Sequence, residues 1–249
     1  MGLLDNLVRK KTPVEKAQKD LTEPYAQPDV RRAAMNKLLE IGTEEAYDAL
    51  LKRFTFNSHG NIADEEEKRD LIEELGRVGH AAVPSLKRFI SNEKQIGFPI
   101  TALSKILPKA EVVEFLIGAL KSREPLDHRS TESKRALIIA LTDRSGPELA
   151  LVIAPYLDDH HDDVQFHAVE ALERLKNPAT AAALAAVCKG DTHSARIQRR
   201  AALALSVLEW AALDYEEWNP ELKDEYVVGT KGAPVKRSAS RANFGARSE

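Results

Sequence analysis

A single cysteine, Cys188, occurs among 249 residues. No internal disulfide can form, and a reducing compartment is expected. Aromatic residues make up only 6% and tryptophans number two. A core must therefore be assembled mostly from alanine and leucine, which favours close helix packing over a β-sandwich. No apolar run approaches the roughly 20 residues of a membrane span. Residues 3–8 are too short for a secretory leader and are broken by Asp5 and Asn6. A soluble, cytoplasmic protein is expected. Catalytic signatures are missing as well: there is no Gly-x-Ser-x-Gly, no Walker-type loop and no Gly-x-Gly-x-x-Gly. No catalytic residue and no cofactor is indicated. The net charge of −3 gives no global pull toward nucleic acid.

What the chain does have is 43% hydrophobic and 30% charged residues, with leucines in a recurring frame. Leu38, Leu75, Leu103, Leu141, Leu172 and Leu205 follow one another at intervals of 28 to 38 residues, about the length of a two-helix repeat. Three residues before them stand Met35, Ile72, Ile100, Ile138, Val169 and Ala202. Four before stand Ala34, Leu71, Pro99, Leu137, Ala168 and Ala201. Offsets of −4, −3 and 0 share one face of an α-helix, so one amphipathic helix is written six times. At offset +3 Arg144 interrupts an otherwise apolar column.

Start signals mark the helices. Thr12-Pro13-Val14-Glu15 combines a capping threonine, proline in the first turn and a glutamate three residues after the cap. Thr43-Glu44-Glu45, Gly146-Pro147 and Asn177-Pro178 open the second helices, which read as 44–54, 80–91, 109–121, 146–158 and 178–188. Short linkers imply antiparallel helical hairpins. Two polar insertions, 55–64 and 122–131, lengthen two of the repeats. Three regions result: repeats over 1–213, an acidic C-terminal cap or linker over 214–227, and a disordered basic tail over 228–249. That tail holds Lys231, Lys236, Arg237, Arg241 and Arg247 against Glu249.

Asp29-Val30-Arg31-Arg32-Ala33-Ala34 and Asp163-Val164-Gln165-Phe166-His167-Ala168 resemble the opening of HEAT-like repeats, the type also seen in phycobilisome lyases. Ile41-Gly42, Val78-Gly79 and Ala82-Val83-Pro84-Ser85-Leu86 fit the same pattern. The resemblance covers roughly 12–212. It implies an all-α fold, a right-handed α-solenoid of about six two-helix repeats, with the leucine-bearing helices on the concave side and binding, usually of proteins, there. Gly97-Phe98-Pro99 departs from the pattern and predicts a short or kinked helix in repeat 3.

Six residues before each leucine stand Arg32, Arg69, Gly97, Arg135, Phe166 and Arg199, with Arg196 and Arg200 adding charge nearby. Stacked arginines can grip carboxylates or phosphates through paired hydrogen bonds. They can equally be taken up by acids of adjacent repeats such as Asp29 or Glu67. The expected function is a non-enzymatic scaffold binding a protein through Arg32, Arg69, Arg135, Arg199 and Arg200 beside an exposed Phe166. The alternatives are a lyase-type subunit handling a bound prosthetic group, and nucleic-acid binding through Arg196, Arg199, Arg200 and the tail. His160-His161-Asp162-Asp163 with His167 has metal-like spacing, but Asp163 also sits where acids cap helices, and no metal is assigned. Deoxyhypusine hydroxylases carry His-Glu dipeptides, of which this chain has none. Leu3, Leu4, Leu7 and Val8 before Arg9-Lys10-Lys11 could lie on an anionic membrane surface or form a repeat cap. Cys188, beside Leu184 and Val187, reads as a buried, inert thiol.

Overall fold

The computed structural model describes residues 11–58, 61–144 and 146–237. The apolar N-terminal segment at 3–8 and residues 238–249 of the basic tail lie outside them. The chain divides into two compact units, the boundary falling after Phe115. The first holds α1 (Pro13–Thr22), α2 (Pro28–Ile41), α3 (Glu44–Leu51), α4 (Asn61–Val78), α5 (Val83–Asn92), α6 (Gly97–Ile106) and the beginning of α7 (Lys109–Lys121). The second holds the end of α7, then α8 (Thr131–Arg144), α9 (Ala150–Ile153), α10 (Asp162–Leu175), α11 (Ala181–Val187), α12 (Ala195–Val207) and α13 (Pro220–Glu225). It closes with a hairpin of β1 (Tyr226–Val228) and β2 (Pro234–Lys236). The fold is an all-α repeat fold with this one small hairpin. No helix among the described residues is long and apolar enough to cross a membrane.

The leucine frame governs the packing. Leu38, Leu75, Leu103, Leu141, Leu172 and Leu205 are each 0% exposed. Their −4 and −3 neighbours are buried with them, whereas at +3 Leu175 is buried and Ile41, Val78, Ile106, Arg144 and Leu208 are half-buried. The same frame stops the helices. Four residues after the leucine, Gly42, Gly79, Lys176 and Glu209 all adopt left-handed backbone, with φ of 64°, 70°, 54° and 53°. Gly42 and Lys176 donate their N–H groups to the carbonyls of Leu38 and Leu172 at 3.2 and 3.0 Å, which satisfies otherwise orphaned acceptors. Thr12 and Glu15 form the reciprocal capping box, and Thr43 accepts from the Ala46 N–H.

Two features differ from the sequence reading, and a third agrees with it. The second helix of repeat 4 is broken into 3-10 turns at Pro147–Leu149 and Ala154–Asp158 around the single α-turn of α9. Pro155 lacks an N–H and clashes with the preceding turn, so a continuous helix over 146–158 cannot form. Repeat 3 has the short helix expected of it: α6 spans ten residues, with Pro99 in its first turn, where proline is tolerated. The expectation of disorder from residue 228 onward fails as far as residue 237. Val227 pairs with Val235 and Val228 with Pro234, and Tyr226, Ala233 and Pro234 are buried. The Gly229–Gly232 loop permits the turn: a Cβ on Gly229 would stand 2.8 Å from Val235 Cγ2, and Gly232 has φ +84°. Composition alone concealed two short apolar runs on either side of these glycines.

Ahead of the hairpin, 214–225 folds onto the α11–α12 connection. Trp218 is 1% exposed, its Nε1 donates to Leu213 O at 3.1 Å, and Asn219 N–H donates to Cys188 O at 2.9 Å.

Candidate interaction face

On the leucine-bearing helices, offsets −6, −2 and +2 lie opposite the buried leucine and share one outward face. In the first unit these positions are Arg32, Asn36 and Glu40 on α2, Arg69, Glu73 and Arg77 on α4, and Gly97, Thr101 and Lys105 on α6. The face is polar and self-neutralised. Arg32 meets Asp70 at 3.5 Å, Arg69 meets Glu65 at 2.8 Å, and Lys105 meets Glu73 at 2.9 Å, with Arg77 paired to Glu74. A cleft of about 320 Å³ runs between α2 and α4, lined by Arg32, Met35, Leu39, Asp70, Glu73 and Arg77.

In the second unit the same positions are Arg135, Ile139 and Asp143 on α8, Phe166, Glu170 and Arg174 on α10, and Arg199, Leu203 and Val207 on α12. Here the middle row is partly aliphatic: Ile139 and Leu203 are 40% and 44% exposed, and Val207 below them is 59% exposed. Arg174 bridges to Asp143 at 2.9 Å. A cleft of about 220 Å³ is lined by Ile139, Thr142, His167, Glu170, Arg174 and Arg200.

The arginine column is exposed but largely engaged within the chain. Arg199 is held by Glu225 at 2.6 Å, with Glu221 at 3.8 Å. Arg200 meets Glu173 at 2.5 Å. Glu67 does not serve Arg32, because the buried Arg31 and Arg53 take it instead. Arg135 alone in the column makes no ion pair within 4 Å among the described residues. Phe166 corrects an expectation: it is half-buried, not exposed. The guanidinium of Arg196 lies 4.4 Å from its ring centroid and that of Arg200 5.9 Å away, so cations cover its face. Arg196 also bonds Asp163 at 3.0 Å. That bond is the chief cause holding the Asp163 carboxyl below the usual carboxylate range, with smaller contributions from His161 and Arg135. The His161 ring accepts from the Asp163 N–H at 3.1 Å and caps α10, while His167 faces Glu170 at 3.2 Å. No group of three or more His, Cys, Asp or Glu among the described residues is placed to hold a metal.

Sequence reading missed the neighbouring column. Seven residues before the leucines stand Arg31, Lys68, Ile96, Lys134, Gln165 and Gln198, every one buried. Each polar member reaches into the connection ahead of its own helix or the one behind it. Arg31 donates to Ala26 O at 2.5 Å and to Glu67. Lys68 donates to Asn57 Oδ1 at 2.7 Å and meets Asp64 at 2.7 Å. Lys134 donates to Pro125 O at 2.7 Å and pairs with Asp159. Gln165 donates to Asp159 O, and Gln198 donates to Gly190 O at 2.9 Å. Loop carbonyls pulled into the core need donors, and this column supplies them. Repeat 3 has a short connection and places Ile96 there. The signal was legible as a polar residue recurring beside an exposed one at fixed offset.

Around Arg53 the result is a buried ionic cluster. Arg53 is 0% exposed and bonds Asp64 at 2.6 Å as well as Glu67. Burial pushes the Asp64 carboxyl up, but hydrogen bonds from Lys68, Ser58 and Arg53 outweigh it and hold the group well below the usual carboxylate range. The insertion at 55–58 is thereby pinned to α4.

Residues 123–206 match HEAT repeats, and residues 30–55 match the PBS lyase HEAT-like repeat. No curated protein matches the chain. The structure of human deoxyhypusine hydroxylase in complex with glycerol is similar over 80% of this chain and 86% of that one, at 19% identity and a TM-score of 0.34. Residues 30–55 and 123–206 are thus HEAT-like repeats, and the two-helix units around them share the same frame of buried leucines.

Proposed function

We propose that the protein is a non-enzymatic scaffold that binds a protein partner on the outward face of its leucine-bearing helices. The observation that carries this reading is the set of exposed arginines at one repeat offset, of which Arg32 and Arg69 are paired with exposed carboxylates, Arg199 with the half-buried Glu225, and Arg135 with no carboxylate within 4 Å among the described residues. Exposed ion pairs contribute only about 0–1 kcal/mol, so exchanging an internal carboxylate for a partner's costs little. In each unit these arginines can offer paired hydrogen bonds to a partner's carboxylates, while contacts in the clefts supply affinity. The buried −7 column supports the same reading, since it fixes the helix entries and so keeps the face preorganised.

The test is affinity purification from the native cell with Arg69→Glu/Arg135→Glu/Arg199→Glu beside the unaltered chain. Arg88→Glu, on the paired helix α5, is the control. The face variant should lose a partner that the chain and the control both retain, with helicity unchanged. Retention by the face variant would defeat the proposal.

A further inference from the structure

The two units do not offer equal faces, and we infer that the second unit's face, α8 with α10 and α12, is a docking site for an acidic peptide segment carrying two apolar anchors. This rests on the scaffold reading above and narrows it to one surface and one ligand chemistry.

Three observations on that face converge. In the row at offset −2 the first unit presents Asn36, Glu73 and Thr101, and the second presents Ile139, Glu170 and Leu203. Ile139 and Leu203 are more than a third exposed, and Leu203 is joined one turn on by Val207. Aliphatic side chains at matching offsets on α8 and α12 leave apolar area in water at two points of one row. The row above carries Arg135, the one guanidinium of its column without an ion-pair partner among the described residues, on the same helix as Ile139. Arg196 stands across Phe166 and shares its charge with Asp163. The row below is closed by the Arg174–Asp143 bridge, so the unpaired Arg135 marks one side of the apolar pair and the other side is neutral.

These facts define the occupant. Helices pack about 8–10 Å apart, so Ile139 and Leu203, on helices flanking α10, stand roughly 16–20 Å apart. An extended chain covers that span in about five or six residues at ~3.3 Å each. Glu170, between the anchors, is engaged by His167 and admits a polar residue at the centre. The segment therefore carries an aliphatic or aromatic side chain at each end and carboxylates on its Arg135 side. A basic segment would set a like charge against Arg135, which no carboxylate within 4 Å neutralises among the described residues. A wholly apolar one would leave Arg135 unpaired beneath it, which costs desolvation without return.

The experiment uses the full chain and a displayed library of random twelve-residue peptides. Enriched sequences should combine Asp or Glu with two apolar residues about five apart. A synthetic peptide of the strongest class should bind at least about tenfold more weakly to Ile139→Glu/Leu203→Glu and also more weakly to Arg135→Glu. It should bind undiminished to Asn36→Glu/Thr101→Glu, which alters the same row of the first unit. All these side chains are exposed, and circular dichroism checks that each variant folds. Loss with the first-unit variant and retention with the second-unit variants would overturn this inference and leave the scaffold reading standing. Binding that survives both sets, or a library with no enrichment over an unrelated protein, would overturn both. Enrichment of basic peptides would overturn the assigned chemistry.

Discussion

Lys134 offers the sharpest test of the buried polar column. Its ammonium and the Asp159 carboxylate are both 0% exposed and paired. The same ammonium donates to Pro125 O at 2.7 Å and Glu124 O at 3.3 Å. Among the described residues the Asp159 carboxylate otherwise accepts from the His161 N–H at 3.0 Å and faces His160 Nδ1 at 3.2 Å. Lys134→Met keeps the stem's volume and removes the charge, leaving a buried carboxylate without its cation. Breaking a buried pair from one side costs about 3–5 kcal/mol. Lys134→Met/Asp159→Asn removes both charges and keeps an acceptor for the His161 N–H. It is expected to lose less than Lys134→Met alone, about 1–2 kcal/mol, for the loop carbonyls left without a donor. The assay is urea unfolding followed by far-UV circular dichroism, with the shift in midpoint read at constant slope. A cost under about 1 kcal/mol for the single variant, or a double variant worse than the single, would refute the reasoning.

Two further outcomes follow from burial. Leu172→Ala, at 0% exposure, should cost about 2–5 kcal/mol in the same assay, whereas Val207→Ala, at 59% exposure, should stay within about 0.5 kcal/mol; equal costs would mean the repeat frame is misplaced. Burial pushes the Cys188 thiol well up, so native protein should resist iodoacetamide until urea unfolds it. The folded-state value lies above the unfolded one of about 8.5, so this group's stabilisation is complete below that pH and is lost as pH rises beyond it. Cys188→Ala should flatten the decline in stability between pH 8.5 and 10, and an unchanged slope would contradict the assignment.

Much of the fold was legible because a repeat states each packing position several times. One leucine proves little, but six in one frame mark the buried face, while local start signals give the capping residues Thr12, Thr43 and Asn177. The left-handed position was half legible: Gly42 and Gly79 announce it, whereas Lys176 and Glu209 adopt the same backbone without any compositional sign. The hairpin was hidden because two three-residue strands gain their stability from packing on α12, which local sequence does not express. At the face, periodicity put the arginines at one helix offset but could not say who holds them. Arg199 is tied to Glu225, 26 residues away, and Phe166 is roofed by two guanidiniums from the next repeat. Arg31, Lys68 and Lys134 looked like ordinary surface charge because burial of a cation depends on carbonyls and carboxylates that distant loops bring to it.

The most direct test of the binding face is site-specific photo-crosslinking in the native cell. A photoreactive phenylalanine analogue is placed at Ile139 or Leu203 on the leucine-bearing helices, or at Leu151, which is 57% exposed on α9 of the paired layer. Crosslinks to one protein partner from positions 139 and 203, and none from 151, are expected. A partner captured from 151 while 139 and 203 stay silent would contradict the assignment of the leucine-helix face.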